Sequence, residues 1–85
     1  MRVEFYTKPN CSLCEEGHAI VAEACRRLSI EWSQTSIYSS VLLFQQYRYK
    51  VPVLCVEGRE VATLRFGPRE VEAALRAALD TVSRP

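Results

Sequence analysis

Charge of one sign is what the sequence most plainly lacks: eleven Lys and Arg stand against ten Asp and Glu, a formal net charge of +1. Binders of nucleic acid and of anionic membranes draw on a basic excess, so both partner classes are discounted. No apolar run is long enough to cross a bilayer, and Met1-Arg2 leads straight into a strand-like segment without an apolar signal stretch. These absences set the expectation of a soluble, cytoplasmic protein. No internal repeat, low-complexity tract or linker interrupts the chain, and eighty-five residues leave no room for a second domain, so one domain over residues 1–85 is expected. A chain of this size buries only about 60% of its unfolded surface, enough for one compact core. The four cysteines include a single close pair, Cys11 and Cys14. That pattern argues against the disulfide framework of a secreted chain and for redox use in a reducing compartment.

What is present is concentrated at Tyr6-Thr7-Lys8-Pro9-Asn10-Cys11-Ser12-Leu13-Cys14. The β-formers Val3, Phe5 and Tyr6 read as a first strand over residues 2–7, which Pro9 and Asn10 break. From Ser12 to about Ser29, Leu13, Gly17, Ile20, Val21, Ala24 and Leu28 recur three or four apart and predict an amphipathic helix. Glu15 and Glu16 near its start and Arg26 and Arg27 near its end suit the helix dipole. Cys11 therefore opens a helix, where unpaired backbone N–H groups and the positive dipole end favour thiolate over thiol. It is the expected nucleophile, titrating below a free thiol. Cys14, one turn on and on the same face, is the expected resolving thiol.

Further along, Ile30 to Gln34 alternates with period two and predicts a second strand, nearer the sheet edge than its neighbours. The polar stretch from Ser36 to Ser40 offers N-caps for a short helix over residues 41–47, whose four-residue apolar run also suits a strand. Val53 to Val56, the Glu57-Gly58 turn signal and Arg59 to Leu64 read as an antiparallel hairpin. Val71, Ala74, Leu75, Ala78, Leu79 and Val82 then repeat at helical spacing, with Pro68 suited to the first turn of a helix ending near Thr81. The order βαβαββα suits a four-stranded mixed sheet, three strands joined by crossovers and the last two by a tight turn.

With Val3 to Lys8, then Cys11-Ser12-Leu13-Cys14, then Val51-Pro52, the chain resembles a glutaredoxin-like member of the thioredoxin fold over nearly its whole length. The resemblance implies an α/β fold with the first and third helices on one sheet face and the second on the other. It implies a cis Val51-Pro52 bond beside the cysteines, with the Val51 backbone free to pair with an extended substrate, although X-Pro bonds are cis in only about 5–6% of cases. It also places Lys8 to steady the Cys11 thiolate or a substrate carboxylate, and Gly67 where glutathione-binding members hold the γ-glutamyl end. Three positions depart from the family pattern. The usual Cys-Pro-Tyr-Cys reads Cys-Ser-Leu-Cys, the Gly-Gly-Cys/Ser-Asp stretch is reduced to Phe66-Gly67-Pro68, and Arg48 stands where a glycine usually closes the second helix.

The implied activity is thiol–disulfide exchange on disulfide-containing proteins or glutathione mixed disulfides by a monomer with no permanently bound cofactor, and with glutathione or a reductase returning electrons. The alternative implied by Ser12 after the first cysteine is a [2Fe–2S] cluster held between two subunits by Cys11 and glutathione. A zinc site wants two further close-spaced ligands, and Cys25 and Cys55 are isolated, which reads as core packing. His18 reads as a solvated helix residue. Of Tyr6, Tyr47 and Tyr49, only Tyr6 is kept as a candidate for a substrate groove.

Overall fold

The computed structural model describes residues 1–83, so the last two residues of the expected domain, like the side chain of Val82, lie outside the described part. The elements are β1 (Val3–Thr7), α1 (Ser12–Leu28), β2 (Ser33–Ser36), a single 3-10 turn (Ile37–Ser39), α2 (Val41–Tyr47), β3 (Val53–Val56), β4 (Arg59–Thr63) and α3 (Pro68–Ser83). The sheet order is β2-β1-β3-β4. β1 runs parallel to β2 and antiparallel to β3, and β3 is antiparallel to β4. This is the expected βαβαββα order and mixed sheet, with β2 at an edge.

Period-two alternation sorts the side chains of the central strands into two layers. Val3 and Phe5 on β1, Leu54 and Val56 on β3, and Ala62 on β4 face α1 and α3, where Val21, Ala24, Cys25, Val71 and Leu75 meet them. Val53 and Cys55 point the other way, into a smaller cluster with Ile37, Tyr47, Leu43 and Phe44 from the 3-10 turn and α2. Because β3 is covered on both faces, it reads as an unbroken apolar run instead of an alternating one, all four residues being buried. Phe5, Leu54 and Leu75 are fully buried. Truncating any of them to Ala costs about 2–5 kcal/mol.

Local chemistry sets the boundaries. α1 ends where Ser29 adopts a left-handed conformation (φ 57°). Its N–H donates to the Arg26 carbonyl and that of Ile30 to the Cys25 carbonyl, a Schellman closure. That closure corrects the second strand. Expected over residues 30–34, β2 begins only at Ser33, because Ile30 is held in the cap and Trp32 packs its ring against Phe5, centroids 6.1 Å apart. The apolar alternation there marks core contacts made before the strand begins. Arg48 is no left-handed cap: at φ −56°, ψ −26° it continues the right-handed turn and donates its N–H to the Phe44 carbonyl, so the missing glycine leaves no strain. The β3–β4 turn has positive φ at both Glu57 (53°) and Gly58 (80°), as a type I′ turn requires. Pairing slips between Leu54 and Cys55, leaving Val61 as the extra residue of a bulge. β4 stops at Thr63, one residue before the expected end, because Leu64 turns to φ 64°.

Candidate active site

β1 delivers the chain into a short loop in which Asn10 adopts positive φ (57°), one of the few non-glycine types that tolerate it. The turn brings Cys11 to the N-cap of α1 with extended backbone angles. Its Sγ accepts a hydrogen bond from the Cys14 N–H at 3.1 Å, the position a Ser or Asp oxygen commonly takes in a cap. Reduced, that sulfur would face the orphan N–H groups and positive end of a 17-residue helix, which favour a negative charge. Cys11 and Cys14 are joined as a disulfide, their Cα atoms 5.2 Å apart. The two differ in access: Cys11 is partly exposed, whereas Cys14 is buried.

Opposite the pair lies the Val51-Pro52 bond, which is cis as the resemblance implied. Both residues are buried. The Leu64 N–H donates to the carbonyls of Pro52 (2.9 Å) and Lys50 (3.1 Å), tying the end of β4 to this loop. Gly17 admits the loop to α1: a Cβ at that position would meet Phe66 at 3.0 Å, Pro52 at 3.1 Å and Phe5 at 3.2 Å.

Cys11 opens onto two grooves. One runs toward β2 and is lined by Lys8, Cys14, Glu15, His18 and Gln34 among others. The other runs toward α2, past Lys8, Leu13, Arg48, Tyr49, Val51 and Leu64, and has no acidic residue in its lining. Lys8 borders both, so the structure gathers Cys11, Cys14, Lys8 and Val51 in one place, while Pro52 lines neither groove and packs toward Gly17 of α1. Gly67 and Tyr6 line neither groove. Gly67 accepts the Val71 N–H at the start of α3, and a Cβ there would meet nothing within 4 Å.

Tyr6 sits in the α2-side core, its ring stacked on Tyr47 at 5.0 Å and its hydroxyl on Glu4. Burial first, then the Glu4 hydrogen bond, push its hydroxyl pKa up. The tyrosine that reaches the groove is Tyr49, 79% exposed, beyond the end of α2. Leu13, Arg48 and Leu64 line it as well, and the sequence pointed to none of them as groove residues. Leu64 joins them through its left-handed turn, which no residue type at that position announces.

Cys25 and Cys55 lie in the cores as expected, both pushed up in pKa by burial. The Cys55 thiol is 3.7 Å from the buried Tyr47 hydroxyl, in the cluster that also holds Cys14. His18 is exposed on α1 and leans on Trp32, ring centroids 5.2 Å apart. Among the described residues no helix is long and apolar enough to cross a membrane, and no three His, Cys, Asp or Glu converge as metal ligands.

The model of the family described as Glutaredoxin-like domain (DUF836) matches residues 2–80. Among solved structures, a structural-genomics target protein from X. campestris superposes with a TM-score of 0.75 at 26% identity, over 88% of this chain and 96% of that one. Thioredoxin 1 from Thermosipho africanus superposes with a TM-score of 0.70 at 16% identity, over 99% of this chain and all of its own, which shows the shared thioredoxin fold. Human ERp44 matches through 26% of its length, with a TM-score of 0.62 at 16% identity. No match is found among curated protein sequences.

Proposed function

The chain belongs to the glutaredoxin-like domain family DUF836, and from that premise we propose that it reduces disulfides of proteins or glutathione mixed disulfides through Cys11 and Cys14. The observation that carries the reading is the asymmetry of the pair. A partly exposed Cys11 sulfur caps α1, while its bonded partner Cys14 is buried one turn behind it. Such an arrangement fits a thiol oxidoreductase.

In the proposed cycle the Cys11 thiolate attacks one sulfur of a substrate disulfide. A mixed disulfide forms, and the other substrate sulfur leaves as a thiolate that takes up a proton. Cys14 then gives up its proton and attacks Cys11 Sγ, forming the intramolecular disulfide and releasing the second substrate thiol. Two electrons have passed from the cysteine pair to the substrate, and a thiol such as glutathione, or a reductase, returns them. The N–H groups at the start of α1 stabilise Cys11 as attacking and as leaving thiolate, and Lys8 adds a positive charge at the groove. Val51 offers backbone to an extended substrate, which Pro52 positions from below. We assign this work to a monomer in the cytoplasm, where glutathione and reductases are at hand.

The alternative is a [2Fe–2S] cluster held between two subunits by Cys11 and glutathione. An absorbance spectrum of anaerobically purified protein separates the readings, since a cluster gives visible charge-transfer bands. The oxidoreductase itself is tested in a single turnover without added reductant. Fully reduced protein mixed with a protein disulfide or a glutathione mixed disulfide loses its Cys11 and Cys14 thiols as substrate thiols appear. Retention of both protein thiols with every disulfide tried would overturn the reading.

A further inference from the structure

The sequence from Ile37 to Lys50 contains no Asp or Glu, and much of it faces outward. Tyr38 is 60% exposed and Val41 73%. The aromatic groups make an unbroken path. The Tyr38 ring tilts onto Phe44 with centroids 5.6 Å apart, and the Arg48 guanidinium lies over Phe44 at 5.6 Å and over Tyr49 at 4.7 Å. Arg48 and Tyr49 then form part of the acid-free groove that leads to Cys11. One strip thus runs from the 3-10 turn across α2 to the reactive sulfur.

Its electrostatics are one-sided. Lys50 is engaged by Glu60 at 3.2 Å, but Arg48 has no carboxylate partner among the described residues, and its guanidinium carbon lies over two rings. Lys8 stands at the Cys11 end of the same groove. A guanidinium fixed by ring contacts keeps its edge donors for an incoming carboxylate and has less freedom to lose on binding. Exposed Val41, three residues before Phe44 and seven before Arg48 and so on their face of the helix, and Tyr38 supply apolar area beside it, the composition of a recognition patch. The other groove beside Cys11 carries Glu15 and is the poorer approach for an acidic segment.

We propose that this strip docks an acidic, apolar segment flanking the disulfide of a protein substrate, so that the segment lies along Tyr38, Val41, Phe44, Arg48 and Tyr49 while its disulfide sits at Cys11. The inference rests on the oxidoreductase reading and adds the substrate class. A second copy of the chain fits less well, because a two-fold pairing of this strip would set arginine and aromatic groups against themselves with no carboxylate to meet them.

The test uses three substrates: a peptide disulfide flanked by Glu and Leu, the same peptide with Lys for Glu, and the small bis-hydroxyethyl disulfide. The reduced full-length protein is expected to reduce the Glu peptide about tenfold faster than the Lys peptide, about the worth of one charge-assisted hydrogen bond. Added salt should narrow the gap. Val41→Glu should lower the rate with the Glu peptide about tenfold relative to that with the small disulfide, and Arg48→Glu should reverse the preference between peptides. Both side chains are exposed, so folding is expected to survive, and circular dichroism checks it. Equal rates for the two peptides, with the small disulfide still reduced, would overturn the docking proposal alone. If no disulfide is reduced, the oxidoreductase reading fails and takes this proposal with it. Concentration-dependent self-association that Val41→Glu abolishes would assign the strip to a second copy, again against the proposal.

Discussion

Gly17 lies so close beneath the active-site loop that a Cβ added to it would come within 3.1 Å of the Pro52 Cγ. The first helix, which carries Cys14 and is capped by Cys11, is thereby seated directly on the loop proposed to hold the substrate. The neighbours that a side chain would meet, Phe5, Pro52 and Phe66, are themselves buried and packed, so none can swing away.

Gly17→Ala is therefore expected to destabilise. In an ordinary helix interior the change gains about 1 kcal/mol from propensity. Overpacking of about 1–3 kcal/mol works against it here. A lower melting temperature, together with slower disulfide reduction as α1 shifts from Pro52, is the expected outcome. Thermal unfolding followed by circular dichroism checks it, and a rise in melting temperature would show that the contact yields.

Alkaline pH should weaken the fold. Burial raises the thiol pKa of Cys25 and Cys55 above 9.0 and that of the Tyr47 hydroxyl above 10.0. Each group holds its proton longer folded than unfolded, so the stability it contributes is fully present below the unfolded value. It is lost as pH rises from there through the folded value. Chemical denaturation at stepped pH should show a decline setting in near pH 9.0, steepening beyond 10.0. Tyr47→Phe should flatten the later part of that decline.

Much of this architecture can be read directly from residue order, and the exceptions have definite causes. The Cys11-x-x-Cys14 pair at a strand–helix junction, the Glu57-Gly58 turn and the spacing of α1 and α3 are local signals, and each lies where the residues indicate. Strand β2 was misplaced because Ile30 and Trp32 owe their apolar character to a helix cap and to Phe5, while the strand itself is the polar Ser33–Ser36. Tyr6 was a reasonable groove residue until the sheet register turned it toward Tyr47. The groove toward α2 was hidden for another reason. Leu13, Arg48, Tyr49 and Leu64 come from three separate segments and meet only when the chain is folded.

Thiol reactivity should follow access. In the reduced, native protein Cys11 is expected to alkylate first, since it is partly exposed at a helix N-terminus. Cys25 and Cys55, 1% and 2% exposed, should label only when denaturant opens the cores. Peptide mapping by mass after brief alkylation reads the order. Rapid native labelling of Cys55 ahead of Cys11 would contradict the assigned roles.

The division of labour between the two cysteines is tested most directly by trapping. Cys14→Ser keeps the attacking sulfur but cannot resolve the mixed disulfide, so the variant purified from cells should carry a covalently attached partner. Intact mass with and without reductant reads this out: the account predicts added mass on Cys14→Ser that reductant removes, and a Cys11→Ser variant with no adduct and no disulfide reduction. An active Cys11→Ser that accumulates the adduct through Cys14 would contradict it.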